Sequence, residues 1–256
     1  MIDRRREEFP VLNDVLSDTG PSALPHGSAI LLDLDGTIID SRHGIISTIH
    51  DVLRDMGHEP DLSQDLTWVV GPPLHDLIGE ILHRYGDDRV EDAVRRYRAL
   101  YESRGMHHSP VYDGMRDVIA GFAASPARLF LATSKPVHLA RAILGLRELD
   151  GYFTQLHGAR PDDSGAEKPE LIAELLRQHR IAPEHAVMVG DRRFDISGAH
   201  ANRVRAIGVL WGYGGADELT EAGADQLAAA PADLPGLVAE QLAAARRHDH
   251  ADSRVS

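Results

Sequence analysis

Apolar positions change their spacing twice along the chain, and each change predicts a different kind of element. Ala29-Ile30-Leu31-Leu32 is a continuous apolar run, and over Ser28–Leu34 it predicts a strand buried on both faces. Residues 1–27 mix charges with Pro10, Gly20, Pro21, Pro25 and Gly27. They hold no period beyond Val11, Leu12, Val15 and Leu16, which predicts an N-terminal extension, partly ordered at best. From Arg42 to about Tyr112 the spacing becomes three and four residues. Ile45, Ile46, Ile49, Val52, Leu53 and Met56 form one face, and Leu74, Leu77, Ile78, Ile81 and Leu82 a second. Val90, Ala93, Val94, Tyr97, Leu100 and Tyr101 form a third. The intervening Trp68-Val69-Val70-Gly71-Pro72-Pro73 cannot be helical throughout.

After Gly114, short apolar runs alternate with helical patterns. A helix over about Met115–Ala124 leads to a strand at Arg128–Thr133, then a helix over Val137–Leu146 behind Pro136. Tyr152–His157 is a weaker strand, and Arg160–Glu167 a polar loop. Lys168-Pro169 opens a helix carrying Leu171, Ile172, Leu175 and Leu176. Ala186–Val189 and Ala206–Leu210 are further buried strands, and an Ala/Leu-rich helix and charged tail follow Asp233. This order predicts an α/β fold, a Rossmann-like parallel sheet with helices on both faces, plus an inserted all-helical cap domain. The expected division is an extension at 1–27, a core domain at 28–41 and 113–232, a cap at 42–112, and a C-terminal helix and tail at 233–256.

Composition narrows the chemistry. The 256 residues carry a formal net charge of −13, which argues against nucleic acid or an anionic membrane as the main partner. With no cysteine, disulfides, thiolate catalysis and cysteine-ligated metals are excluded. No apolar run approaches the roughly 20 residues of a membrane span, and no signal-type run follows the N-terminus. A cytoplasmic protein, monomeric or homodimeric, is expected.

Candidate chemistry gathers at the carboxyl ends of the expected strands, where ligands sit in open α/β sheets. The first ends in Asp33-Leu34-Asp35-Gly36-Thr37, the second in Thr133-Ser134-Lys135, and the fourth in Gly190-Asp191 with Asp195 beyond it. Lys168 opens the helix between them. Taken singly each has an ordinary reading: Asp-Gly makes turns, a strand-end threonine caps a helix, and a first-turn lysine is solvated. Two acids crowded at a core edge repel each other and resist desolvation, which costs free energy.

Together, in this order, the four motifs resemble the haloacid dehalogenase superfamily over about residues 28–230. Residues 42–112 match its helical, type 1 cap. Gly71-Pro72-Pro73-Leu74 and Trp211-Gly212-Tyr213-Gly214 resemble stretches of its phosphoglycolate phosphatase-like branch. Gly71, Pro72 and Pro73 could equally be a substrate-facing cap loop or a plain turn, and Trp211–Gly214 a core-edge loop. The resemblance implies a Mg²⁺-dependent phosphatase acting on a small phosphorylated metabolite. Asp33 would be the nucleophile, forming an aspartyl-phosphate, and Asp35 the proton donor to the leaving oxygen and acceptor from water. Thr133, Ser134, Lys168, Gly36 and Thr37 would bind the phosphate. Asp33, Asp191 and the main-chain carbonyl of Asp35 would hold Mg²⁺, with Asp195 behind them.

Phosphoglycolate phosphatase is the first expectation, with a nucleotidase or pyrophosphatase next. A sugar-phosphate mutase or a transferase to protein would need a proton-relaying cap group, for which His43, His50, His58, His75 and His83 are the candidates. A phospho-acceptor receiver module uses strand-end acids too, but it would not explain the interval from Asp33 to Thr133. His107-His108 and His248-Asp249-His250 lack metal-ligand spacing and read as surface.

Overall fold

The computed structural model describes residues 24–71 and 73–252. Most of the expected extension, and Pro72 of the expected cap loop, lie outside the described residues. Six strands form one parallel sheet in the order β3-β2-β1-β4-β5-β6. They are β1 (Ala29–Leu32), β2 (Arg128–Pro136), β3 (Gln155–Ala159), β4 (Ala186–Gly190), β5 (Arg205–Val209) and β6 (Gln226–Ala228). Between β1 and β2 the chain makes α1 (Arg42–Asp55), α2 (Leu74–Arg84), α3 (Val90–Ser103) and α4 (Met115–Ala123). The helices α5 (Val137–Leu146), α6 (Lys168–His179), α7 (Arg193–Ala201) and α8 (Gly215–Glu221) follow in the crossovers, and α9 (Leu234–Asp252) ends the described chain.

Strand alternation sorts β1 onto two faces. Ala29 and Leu31 pack with Phe130, with Ile172 and Leu175 of α6 and with Ile196 of α7. Ile30 and Leu32 point the other way, toward Ile119 and Phe122 of α4, Ile143 of α5 and Val238 of α9. The continuous apolar runs follow from this: both faces of the sheet are covered.

Several boundaries differ from the sequence pattern, for local reasons. β1 stops at Leu32, because the N–H groups of Thr37, Ile38 and Ile39 all converge on the Leu34 carbonyl in a turn. Asp33 keeps one ladder bond, from its N–H to the Val189 carbonyl at 3.0 Å. β2 runs on to Pro136 through a register shift after Thr133. β3 starts at Gln155, since Asp150–Tyr152 is a short 3₁₀ turn. The elements α8 and β6 were not expected at all. The C-terminal helix is no appendage: Leu234, Val238 and Leu242 are buried against the sheet, and the backbone stays helical through the charged stretch Arg246–His250.

Between β1 and α4, α1 and α2 both pack on α3. The two links joining this helical block to the sheet run side by side. The Asp40 N–H donates to the Pro110 carbonyl at 2.9 Å and the Tyr112 N–H to the Ile38 carbonyl at 3.0 Å, around an antiparallel Ile39–Val111 bridge. No helix among the described residues is long and apolar enough to cross a membrane.

Candidate active site

In this strand order the crossovers from β1 and from β4 lead to opposite sides, so a crevice opens beyond their carboxyl ends. Asp33 lies there with the parity of Ala29 and Leu31, on the face that α6 covers. Lys168, the first residue of α6, therefore meets it: Nζ donates to Asp33 Oδ1 at 2.6 Å and to the Ala132 carbonyl at 2.7 Å. The same ammonium lies 2.6 Å from Asp195 Oδ1. The Asp195 carboxylate also accepts from the Arg192 N–H at 3.1 Å, anchoring the start of α7.

Asp33, Asp191 and Asp195 bring ligand-capable oxygens within 4.8 Å of one another, all buried. Two of the three carboxylates, Asp33 and Asp195, share the one Lys168 ammonium and Asp191 has no contact with it, so positive charge is short. Burial pushes the Asp33 carboxyl up to about 7, with Asp195 and Asp35 adding to the rise and Lys168 opposing it. Burial likewise raises Asp191 well above the carboxylate range, helped by Asp195 and Asp33. Burial alone would lower Lys168, but Asp195 and Asp33 more than offset it. Asp191 Oδ1 is buried and has no hydrogen-bond partner. An orphaned oxygen in an all-carboxylate donor set suits a hard divalent cation such as Mg²⁺, so these residues fit the expected metal.

The other expected site residues divide. Asp35 turns its carboxylate away from the acid cluster to Lys135, whose Nζ donates to both oxygens at 2.9 and 3.0 Å. Thr133 Oγ1 is buried at the crevice and accepts from the Lys135 N–H at 3.2 Å. Ser134 borders the chamber, and its hydroxyl donates to the Ala166 carbonyl at 2.8 Å, which fixes the approach to α6. Thr37 is fully buried with its hydroxyl unpartnered, beneath the crevice.

Gly36 and Trp211–Gly214 wrap Asp191. Gly36 has φ +86°, and a Cβ there would sit 2.1 Å from Asp191 Oδ2. Gly36→Ala should therefore displace the Asp191 carboxylate. Because a 1 Å misplacement can cost about 10²-fold, kcat is expected to fall by at least that factor while the folded fraction stays unchanged by circular dichroism. From the other side, the Tyr213 N–H donates to Asp191 Oδ2 at 2.7 Å. The Tyr213 hydroxyl reaches the first of the two links to the helical block, donating to Asp40 Oδ1 at 3.0 Å and accepting from the Ser41 N–H at 2.9 Å. Trp211 Nε1 donates to the Thr37 carbonyl at 3.1 Å. The expected core-edge loop thus ties the acid cluster to the link at Asp40 and Ser41.

Above the acids, between the helical block and the sheet domain, lies an open-mouthed chamber of about 440 Å³. Asp33, Asp35, Thr133, Lys135, Lys168 and Asp195 line its floor. Ile45, Val69, Leu74, Leu77, Tyr97 and Phe194 make its walls largely apolar. Gly71 and Pro73 border it, and Arg192 fastens that loop, donating from Nη1 to the Val70 carbonyl and from Nε to Glu218 Oε1 at 2.9 Å. Every lysine and arginine lining the chamber already faces an acid: Arg98 meets Asp163 at 2.6 Å, and Lys135, Lys168 and Arg192 are paired as above. None of His43, His50, His58, His75 and His83 borders it, though His75 borders an outer cleft. Lys135 and Arg192 have no role in the sequence reading, and Tyr213 has one only as part of the Trp211–Gly214 loop; the signal for Lys135 is its place in Thr133-Ser134-Lys135 at the end of β2.

Residues 30–209 match the family described as haloacid dehalogenase-like hydrolase. The chain is 38% identical over 193 residues to a 5′-nucleotidase of Pseudomonas aeruginosa, covering 74% of this chain and 86% of that one. It is also 38% identical over 189 residues to the tyrosine-protein kinase PtkA of Mycobacterium tuberculosis, covering 73% of this chain and 64% of the relative. A solved structure described as a predicted phosphatase from Clostridium acetobutylicum is similar at a TM-score of 0.77 and 30% identity, covering 84% of this chain and all of that one. With the matched span running from β1 to the end of β5, the chain belongs to the haloacid dehalogenase-like hydrolase family.

Proposed function

We propose that this protein is a Mg²⁺-dependent phosphomonoesterase whose substrate is a nucleoside 5′-monophosphate. Asp33 is the nucleophile, and the helical block of residues 42–112 acts as a cap over the leaving group. The observation that carries the reading is the cluster of Asp33, Asp191 and Asp195, with Lys168 bridging Asp33 and Asp195 and an Asp191 oxygen orphaned, at the floor of an apolar chamber.

Asp33 and Asp191, with the main-chain carbonyl of Asp35, would hold the cation, which supplies the positive charge a phosphate dianion needs to approach a carboxylate. Lys168 keeps the Asp33 oxygen directed into the crevice and, with Thr133, faces the transferring phosphoryl oxygens. An Asp33 oxygen bonds to phosphorus as the bond to the leaving oxygen breaks. The leaving oxygen keeps the electron pair, takes a proton from the Asp35 carboxyl and departs as an alcohol. Water then bonds to phosphorus and gives its proton to the Asp35 carboxylate. The Asp33–phosphorus bond breaks, its electron pair returns to Asp33, and phosphate leaves.

The chamber favours a nucleoside over glycolate or phosphate as leaving group. The latter two bring a negative charge, and the lining cations are already paired. A base burying about 100 Å² on the apolar wall gains about 2.5 kcal/mol, or roughly 10- to 100-fold in affinity. The resemblance to a 5′-nucleotidase points the same way. Phosphatase assays over nucleoside monophosphates, phosphoglycolate, pyrophosphate and sugar phosphates, with Mg²⁺ or EDTA, test this. A kcat/KM at least about tenfold higher for nucleoside monophosphates is expected, and a ranking led by phosphoglycolate would remove the substrate assignment. Label transferred from a phosphate donor to protein rather than to water would favour a transferase, the activity the name of PtkA implies for that relative.

A further inference from the structure

Lys135 and Asp35 stand 100 positions apart in the chain and meet through both carboxylate oxygens, at 2.9 and 3.0 Å. A two-point contact to one ammonium fixes the direction of the carboxylate as well as its distance. The contact is largely shielded, with side-chain exposures of 9% for Lys135 and 15% for Asp35. The backbone does not set Asp35 in the same way, because β1 has ended and residues 34–39 form a turn. The far side of the ammonium is covered by the helical block. Nζ lies 4.8 Å from the ring centroid of Tyr101 in α3, and that ring stacks on Tyr97 at 5.5 Å with 9° between planes. Tyr101 is 2% exposed, so its ring is held by packing.

We propose that Lys135 is a positioning residue for Asp35, and that Tyr101 makes its position depend on how the helical block is seated. An ammonium between a carboxylate and an aromatic face is held from both sides. Movement of α3 away from the sheet removes one side, frees Lys135 and loosens Asp35. The group that serves the leaving oxygen is thus set in place only under a seated block. Lys135 needs no contact with the reacting atoms for this. The proposal rests on the reading of Asp35 as proton donor given above.

Leaving groups separate this role from a structural one. A ribose 5′-oxygen needs a proton to depart, whereas p-nitrophenolate hardly does. In the 256-residue protein with Mg²⁺, Lys135→Met should lower kcat/KM, which reports transfer to Asp33 and not the later hydrolysis that Asp35 also serves, by about 10²-fold on a nucleoside 5′-monophosphate. On p-nitrophenyl phosphate the loss should stay below about tenfold. Lys135→Arg should recover part of the loss. Tyr101→Leu, which removes the ring, should show the same split at smaller size. Equal losses on both substrates, or none, would overturn the proposal. If Lys135→Met does not fold, Lys135→Arg and Tyr101→Leu decide it by the same split. Asp35→Asn separates the two layers. A split there without one at Lys135 overturns only the positioning role, while no split at Asp35 overturns the proton-donor reading and this proposal with it.

Discussion

Asp33→Asn should abolish turnover, by more than the roughly 10⁴-fold at the top of the range for a lost acid or base, because no other group can form the bond to phosphorus. Asp195 is held by Lys168 and the Arg192 N–H, and Asp191 is wrapped by Gly36 and Tyr213. The same substitution should not weaken the fold. An amide at position 33 removes one of three crowded carboxylates, and Lys168 keeps Asp195 and the Ala132 carbonyl as partners. Inactivity together with an unchanged or raised thermal midpoint is the expected pair of results. An active Asp33→Asn enzyme, particularly one indifferent to EDTA, would sink the mechanism.

Mg²⁺ should raise the thermal midpoint of the wild-type protein. At a cation concentration one hundred times Kd the linkage amounts to about 2.7 kcal/mol, or roughly 5–10 °C for a chain of this size. Asp191→Asn should be at least as stable as wild type in EDTA and gain little from the cation. The effect should also depend on pH. The Asp33 carboxyl titrates near 7 in the folded protein against an ordinary value of 3.8, so the metal-free fold holds a proton that the unfolded chain has released. Stability from this group is present below about pH 4 and is lost as pH rises toward 7. The difference in midpoint between Asp33→Asn and wild type in EDTA should therefore widen from pH 5 to pH 7.5. Scanning calorimetry with MgCl₂ and with EDTA measures both. Identical midpoints in the two buffers would remove the metal site.

What could be read along the chain was whatever lies within one element or at its end. Asp33, Thr133, Lys168 and Asp191 were legible because each closes or opens an element whose apolar pattern is plain. The alternation of those elements then implies a shared edge. The Lys135–Asp35 and Arg192–Val70 contacts were not legible, since each joins residues about a hundred positions apart and depends on how the helical block seats. The Ser134 hydroxyl bond was not legible either, since only the folded loop brings the Ala166 carbonyl near. The strand β6 escaped notice because Gln226–Ala228 is three residues long with only Ala228 buried.

The paired links at Ile39 and Val111 have a consequence for how such a chain can change over time. The helical block leaves the sheet and returns to it at neighbouring backbone positions, so to the strands it is equivalent to one tight turn. Lengthening a segment whose ends are already joined adds only slowly to its closure entropy. Substitutions, insertions or wholesale exchange between Asp40 and Pro110 can therefore alter what is admitted above the acids without disturbing the strands that hold them. One catalytic floor can be reused beneath many different roofs.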